Sequence, residues 1–197
     1  MIELILATAN KHKAHEFSSL LDPTIFSVQV ASENIDVEET GFTYSENAFI
    51  KAQAYYNKFK TPVLADDSGL NVDALPDELG IYSARFGGAS LPQSEKNKLL
   101  LEKLKGISNR NAHFSCVLCF YLSPSEIFFF EGKVDGTIAF AESGTGGFGY
   151  DPLFHPTNFD DPKLSLAMIE DWKMKHSHRA VACQKATSFF KKRNCHS

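Results

Sequence analysis

Two long β-type segments in the middle of the chain place the strongest constraint on its fold. Residues 113–122 and 127–134 are rich in apolar and aromatic side chains, and the short segment Ser-Pro-Ser-Glu separates them. This spacing is typical of a hairpin, so the two segments are predicted to be neighbours in a sheet. A third strand is predicted near 137–141, ahead of a glycine-rich loop at 144–149.

The N-terminal part of the chain alternates strands with helices. Residues 2–7 form an apolar run that ends in a polar segment, and Phe17, Leu20 and Leu21 follow at helical spacing. Similar patterns predict strands at 26–31 and 63–65 and helices at 46–59, 94–104 and about 177–192. Strand–helix alternation followed by a β-meander predicts an α/β protein with a mixed sheet.

The composition narrows the class of protein. The 197 residues are 43% hydrophobic, enough for one domain with a real core or one domain divided into two lobes. The 24 acidic residues outnumber the 20 basic ones, whereas a general nucleic-acid binder is usually strongly basic. The acidic excess therefore predicts no stable nucleic-acid partner. Because 17 Phe and 6 Tyr supply more apolar area than a disordered chain carries, a folded protein is expected.

Nothing in the sequence indicates membrane insertion or export. The longest strongly apolar stretch, 114–122, is far shorter than the roughly 20 residues of a membrane-spanning helix. The N-terminus contains Glu3 and lacks the basic region of a signal peptide. Cys116 and Cys119 have C-x-x-C spacing, but they should face opposite sides of one strand, so no zinc site is expected. A cytoplasmic location with no membrane contact is therefore predicted.

The segment between the first strand and the first helix is a candidate phosphate site. A helix N-terminus offers unpaired backbone N–H groups and the positive end of the helix dipole. Thr8 and Asn10 add neutral hydrogen-bonding groups, and Lys13 adds a positive charge. The segment has no glycine, so it matches neither a Walker loop nor a dinucleotide fingerprint. A capped helix start is the alternative interpretation.

A set of carboxylates is a candidate cation site, namely Glu38, Glu39, Asp66 and Asp67. Mg²⁺ commonly takes one or two protein carboxylates together with substrate phosphates. Asp66 and Asp67 follow an apolar strand, at the edge of a sheet where α/β proteins bind ligands. Neighbouring residues of an extended chain point to opposite faces, so the two should not share one role. The alternative is an ordinary surface turn.

Two segments in the C-terminal half are candidate sites for a nucleobase and its phosphates. Glycines crowd the loop 144–149, where Phe148 and Tyr150 could stack on a base and Asp151 could accept a hydrogen bond. The alternative is a flexible loop with its aromatic side chains in the core. Further on, Ser177 could cap the last helix, with His178 and Arg179 in its first turn. The alternative is that His178 is an ordinary surface residue, which is the more common case for a histidine in such a position.

Seven short segments follow one another in the order of a known enzyme family. They are Ala7-Thr8-x-Asn10-x-x-Lys13, Glu38-Glu39-Thr40-Gly41, Glu46-Asn47-Ala48, Asp66-Asp67-Ser68-Gly69-Leu70, Tyr82-Ser83-Ala84-Arg85-Phe86, Gly147-Phe148-Gly149-Tyr150-Asp151-Pro152 and Ser177-His178-Arg179. Together they resemble the inosine/xanthosine triphosphate pyrophosphatase family over nearly the whole chain. The resemblance implies a single domain over residues 1–197, usually homodimeric. Its fold would be elongated and two-lobed, with a long curved mixed sheet flanked by helices and a central nucleotide-binding cleft.

The resemblance also implies an activity and assigns residues to it. The reaction is Mg²⁺-dependent attack by water at the α-phosphate of ITP, dITP or XTP, which gives a nucleoside monophosphate and pyrophosphate and cleanses the nucleotide pool. Asp67 would be the proton acceptor and, with Glu38, a metal ligand, and Asp66 a second acid group of the same network. The implied substrate-binding residues are Thr8, Asn10, Lys13, Ser68, Phe148, Gly149, Tyr150, Asp151, Lys173, His178 and Arg179.

Base selection is expected to depend on position 6 of the purine. Donors from His178 and Arg179 would pair with the keto oxygen of inosine or xanthosine but would face an amino group in ATP, and a buried unpaired donor costs ~1–3 kcal/mol. Two other classes of protein compete with this hypothesis. A non-catalytic nucleotide-binding module would not need both Glu38 and Asp67, and the net acidity disfavours an RNA-associated protein.

Overall fold

The computed structural model describes residues 1–194 and confirms a mixed α/β architecture. Its elements are β1 (Ile2–Leu6), α1 (Lys11–Leu20), β2 (Phe26–Val30), α2 (Tyr44–Phe59), β3 (Val63–Val72), a 3-10 helix (Gly80–Arg85), α3 (Gln93–Lys103), β4 (Asn111–Ser123), β5 (Glu126–Ile138), a short 3-10 helix (Asp151–Leu153), β6 (Phe154–Pro156), α4 (Glu170–His176) and α5 (His178–Asn194). None of the helices among residues 1–194 is long and apolar enough to cross a membrane.

The six strands form one sheet in the order β2-β1-β3-β4-β5-β6. β1 is parallel to β2, with Ile2 opposite Phe26, and also parallel to β3. β5 is antiparallel to β6, with Gly136 opposite Pro156. The predicted mixed sheet is therefore confirmed, as is the prediction that the two long central segments, now β4 and β5, are neighbours.

The chain divides into two compact units, which are described separately below. The first unit comprises residues 1–67, 116–132 and 178–194 of the described chain, and the second comprises 68–115 and 133–177. In the first unit, one apolar cluster surrounds Phe17, Phe120 and Phe190, and another packs α2 through Ala48, Ala52 and Tyr55. The core of the second unit includes Leu70, Leu100, Phe114, Phe154 and Leu166.

The cysteines lie as the strand pattern predicts. Cys116 belongs to the apolar cluster around Phe17 and Cys119 to the cluster against α2, so the two thiols are on opposite faces of β4. Both are buried and free, as is Cys183. Burial raises the pKa of each of the two β4 thiols to about 12, so neither is poised for metal binding or redox chemistry. Cys195 lies outside the described residues.

Two strand predictions are wrong, one in its end and one in its existence as a separate strand. The strand predicted over 63–65 continues through Asp66 and Asp67 to Val72, because both carboxylates are buried and have polar partners within the protein. The separate strand predicted near 137–141 does not form, because β5 runs unbroken to Ile138, with Val134, Gly136 and Ile138 buried in alternation. Gly136 allows this pairing, since a Cβ there would lie 2.4 Å from the His155 carbonyl oxygen of β6.

The last helix also begins differently from the prediction. α5 starts at His178, and a further short helix that periodicity did not predict, α4, occupies Glu170–His176 directly before it. Ser177 therefore separates two helices, and its N–H donates to the Lys173 carbonyl oxygen at 3.0 Å.

Candidate functional site

The segment after β1 is held as a capped helix start. Asn10 is the N-cap of α1, and its Oδ1 accepts from the N–H groups of His12 and Lys13 at 2.9 and 3.2 Å. Thr8 Oγ1 in turn accepts from the Asn10 N–H at 3.1 Å. The alternative interpretation from the sequence is thus observed. The segment also lies at the positive end of the helix dipole, and its cation, Lys13, contacts the carboxylate of Asp66.

Asp66 is buried at 1% exposure and faces several cations. Lys13 Nζ lies 2.8 Å from its Oδ2, and Arg179 Nη2 lies 3.7 Å from the same oxygen. Lys51 donates to the Asp66 carbonyl oxygen at 2.9 Å. Burial alone would raise the pKa of Asp66, but the charges of Lys13, then Arg179 and Lys51, hold it well below its ordinary value. Asp66 is therefore ionised at neutral pH.

Arg179 is held between two carboxylates rather than projecting from the surface. It is buried at 1% exposure, and its guanidinium donates to Glu16 of α1 as well as facing Asp66. Burial by itself would lower the pKa of Arg179, but the negative charges of Asp66 and Glu16 outweigh this effect, so the pKa lies above its ordinary value. Sequence reasoning missed Glu16. The available signal was an acidic residue directly beside the buried Phe17 in an amphipathic helix.

Asp67 has different surroundings from its neighbour, as predicted from the alternation of an extended chain. Its Oδ2 accepts from Asn47 Nδ2 at 3.1 Å, and the residue is 6% exposed. Burial and then the negative charge of Glu39 raise the pKa of Asp67 to about 6. A carboxylate with a pKa near the working pH is suited to accept a proton.

The acidic loop, defined here as residues 38–41, contacts α2. Lys51 Nζ lies 2.5 Å from Glu39 Oε1, and the Gly41 N–H donates to Asn47 Oδ1 at 2.8 Å. Glu38 is exposed, and no ion pair of its carboxylate occurs within residues 1–194. Roles for Asn47 and Lys51 were missed from the sequence. The sequence signal that could have indicated them is their spacing: two polar residues four positions apart lie on the same face of α2, beside its apolar positions.

In the second unit, the glycine-rich loop closes around a buried ion pair. Asp151 Oδ2 accepts from Lys173 Nζ at 2.7 Å and from the Phe148 N–H at 2.8 Å. Lys173 Nζ also lies 4.7 Å from the centre of the Phe148 ring. Gly147, at φ +68°, makes this turn possible, because a Cβ there would lie 2.3 Å from the Asp151 carboxylate. The predicted Phe148, Asp151 and Lys173 are thus brought together.

The two aromatic residues of this loop have different environments. Tyr150 is buried, and its hydroxyl donates to the Ser83 carbonyl oxygen at 2.9 Å, as the interpretation with aromatics in the core expects. Phe148 is only partly buried. Asn97, a residue not predicted, donates to the Gly149 carbonyl oxygen at 3.3 Å and so helps to position the loop.

The predicted residues therefore form two sets. The first unit holds Thr8, Asn10, Lys13, Glu38, Asp66, Asp67, His178 and Arg179, and the second holds Ser68, Phe148, Gly149, Tyr150, Asp151 and Lys173.

Within residues 1–194, no group of three or more His, Cys, Asp or Glu side chains could hold a metal ion. A Mg²⁺ site that relies on substrate phosphates needs only one or two protein carboxylates, so the donor set fits such a site.

Comparisons with known proteins agree over most of the chain. A model of the Ham1 family matches residues 4–189. A dITP/XTP pyrophosphatase from Exiguobacterium sp. is 42% identical over 187 residues, which cover 93% of this chain and 94% of the relative. Another from Halalkalibacterium halodurans is 40% identical over 186 residues, with 92% and 96% covered.

Solved structures give the same picture. The Ham1 protein of Staphylococcus aureus has a TM-score of 0.85 and 36% identity, with 97% of this chain and 99% of that one covered. A HAM1 protein from Coxiella burnetii has a TM-score of 0.86 and 32% identity, with 98% and 100% covered.

Proposed function

The chain belongs to the Ham1 family, and on this premise we propose that it hydrolyses non-standard purine nucleoside triphosphates. The substrates are dITP, XTP and ITP, and the products are the nucleoside monophosphate and pyrophosphate. The observation that carries the proposal is the contrast between Asp66, which cations hold ionised, and Asp67, whose pKa is raised to about 6. Such a pair supplies a proton acceptor beside a cluster of positive charge.

The triphosphate requires neutralisation, and the first unit carries the groups for it. The N-terminus of α1 and the ammonium group of Lys13 suit phosphate oxygens, with Thr8 and Asn10 as neutral contacts. Asp66 holds Lys13 in place through their 2.8 Å contact. In this proposal, Asp66 is a partner of cations and does not donate a proton.

Asp67 is proposed to accept a proton from, and orient, the water that attacks the α-phosphate. In the metal-free protein the pKa of Asp67 is raised first by burial and then by Glu39; a bound Mg²⁺ would lower it, so orienting the water is the part of this role that holds with the metal in place. The water oxygen forms the new P–O bond and pyrophosphate leaves, so attack at the α-phosphorus accounts for both products. Ser68, the next residue of β3, is proposed to contact the substrate.

Glu38 and Asp67 would hold a Mg²⁺ ion together with substrate phosphates. Mg²⁺, when bound, would stabilise the negative charge that develops on the phosphate oxygens. Two observations support a cation between the acidic loop and Asp67. The carboxylate of Glu38 is exposed, and the charge of Glu39 repels that of Asp67, so a cation there would reduce the repulsion.

For the base, the proposal assigns stacking to Phe148, which is partly exposed, with Gly149, Tyr150, Asp151 and Lys173 shaping or charging the same loop. His178 and Arg179 are proposed to favour a 6-keto purine, with Arg179 acting from its position between Glu16 and Asp66. A homodimer and a cytoplasmic location, both expected from the sequence, belong to the same proposal.

The experiment measures pyrophosphate release from dITP, XTP, ITP, ATP and GTP, with and without Mg²⁺. We expect release from the first three in Mg²⁺, reduced by Asp67→Asn by roughly a hundredfold to ten-thousandfold. Asp36→Asn, a change of the same kind at an exposed position of the first unit, should leave it unchanged. Release of inorganic phosphate alone would contradict attack at the α-phosphate. Tight binding of dITP with no product would favour the non-catalytic binding module.

A further inference from the structure

A buried asparagine connects two acidic segments of the first unit. Asn47 has 0% exposure, and its side chain forms two hydrogen bonds of opposite polarity. Its Oδ1 accepts from the Gly41 N–H at 2.8 Å, and its Nδ2 donates to Asp67 Oδ2 at 3.1 Å. We propose that Asn47 is a positioning residue for the reaction, because it holds the Asp67 carboxylate at a set distance from the acidic loop that carries Glu38 and Glu39.

The chemistry of an amide explains why asparagine suits this position. A backbone N–H can only donate, and an ionised carboxylate can only accept. The Asn47 amide satisfies both at once, and it cannot rotate by half a turn without losing both bonds. Aspartate at the same position would keep an oxygen for the Gly41 N–H but would place a second negative charge against Asp67. Alanine would remove both contacts.

The helix that carries Asn47 gives it a rigid base. α2 begins with a capping box in which Thr43 Oγ1 accepts from the Glu46 N–H and the Glu46 carboxylate accepts from the Thr43 N–H. One turn beyond Asn47, Lys51 contacts Glu39 at 2.5 Å and the Asp66 carbonyl oxygen at 2.9 Å. The same face of α2 therefore contacts the acidic loop and β3 twice.

This inference rests on the proposed function and adds a role for a residue that is not placed on the substrate. Loss of the amide removes a contact that fixes the Asp67 carboxylate relative to the acidic loop, and a misplacement of about 1 Å can cost roughly a hundredfold in rate. The effect should fall on kcat and on the metal concentration required. The KM for the nucleotide should change little.

The experiment compares Asn47→Ala and Asn47→Asp with Asn57→Asp, which makes the same chemical change at an exposed position of the same helix. The measurements are kcat and KM for dITP, the half-saturating Mg²⁺ concentration, and the thermal melting temperature. Mn²⁺ binding is measured separately by electron paramagnetic resonance, in the presence of a non-hydrolysable α,β-methylene analogue of dITP. We expect both Asn47 variants to lose roughly tenfold to a hundredfold in kcat, and Asn47→Ala to bind Mn²⁺ more weakly.

Three results would overturn the inference. The first is that both folded variants match Asn57→Asp in kcat and in Mn²⁺ affinity to within about twofold. The second is a loss confined to KM, and the third is a loss that only follows the fraction of unfolded protein. If Asn47→Ala does not fold, Asn47→Ser and Asn47→Asp, which keep an oxygen at this position, decide the question. A wild-type protein that releases no pyrophosphate contradicts the proposed function instead, and the Mn²⁺ measurement then still tests Asn47.

Discussion

Both units place a lysine against a buried aspartate, but the surrounding charges differ. In the second unit, Lys173 and Asp151 form a close pair in which each side chain is 4% exposed. In the first unit, Asp66 faces both Lys13 and Arg179. One region thus holds a close pair of a lysine and an aspartate, and the other holds a network in which several charges act on each carboxylate.

The difference shows what each region is suited to do. A pair such as Lys173–Asp151 neutralises itself, and its additional hydrogen bond to the Phe148 N–H orders a loop. In the network, cations hold Asp66 ionised, whereas Asp67 accepts a hydrogen bond from the uncharged amide of Asn47. Burial and then the negative charge of Glu39 raise the pKa of Asp67 to about 6, within the range where proton transfer is useful.

The largest expected effect comes from removing the charge of Asp66. Asp66→Asn removes the carboxylate partner of Lys13 and one of the two carboxylates that face Arg179, and breaking a buried charge pair typically costs about 3–5 kcal/mol in the free energy of unfolding. Because the pKa of Asp66 is lowered on folding, its stabilisation is complete above the unfolded value of 3.8 and is lost as the pH falls through the folded value. Urea denaturation at pH 7 and in acid measures both effects.

Asp36→Asn is the matched control for this prediction, since Asp36 is exposed and lies in the same unit. It should change the free energy of unfolding by no more than about 0.5 kcal/mol. Equal stability of the Asp66 and Asp36 variants at pH 7 would show that the cation network does not depend on Asp66.

In the second unit, Lys173→Met should cost somewhat less, about 3 kcal/mol in the free energy of unfolding, because Asp151 keeps the hydrogen bond from the Phe148 N–H. The double variant Lys173→Met with Asp151→Asn should recover part of the loss, since no unpaired charge then stays buried. Chemical denaturation of the single and double variants measures the coupling.

Lys163→Met, an exposed lysine of the same unit, is the control for the loss of a surface charge. If the double variant lost more stability than the losses of the two single variants added together, Lys173 and Asp151 would not be stabilising each other.

Much of the fold could be predicted because its signals are local. Apolar periodicity located β1, β2, α2 and the neighbouring strands β4 and β5. The extension of β3 through Asp66 and Asp67 had no such signal, because two adjacent acids ordinarily mark the end of a buried strand. The partners that allow their burial lie elsewhere in the chain. Lys13, for example, is separated from Asp66 by 53 positions.

The same distinction applies to the site. Motif spacing predicted Asp67, Lys13 and Lys173, but the partner of each charge depends on contacts between distant segments. Glu16 and Arg179 are separated by 163 positions, so no local pattern indicates their pairing. Asn47 could be recognised as part of a motif from sequence, but its bonds to Gly41 and Asp67 are visible only in the structure.

The smallest expected effect has the opposite sign from that of Asp66 and concerns its neighbour. The pKa of Asp67 is raised on folding from 3.8 to about 6, so its contribution to stability is complete below 3.8 and is lost as the pH rises through about 6. Ionised Asp67 therefore destabilises the metal-free protein at pH 8, by at most about 3 kcal/mol. Asp67→Asn should remove this cost and raise the free energy of unfolding at pH 8 by about 1–3 kcal/mol.

The pH dependence distinguishes this cause from a general effect of the substitution. Below pH 3.8 the wild-type carboxyl is protonated, so wild type and Asp67→Asn should converge in stability there, whereas wild type and Asp66→Asn should differ most at high pH. Urea denaturation in chelator at about pH 3, 6 and 8 measures the three proteins together. Destabilisation by Asp67→Asn at pH 8 would mean that the neighbouring cations already neutralise Asp67, and the contrast between the two adjacent carboxylates would then not hold.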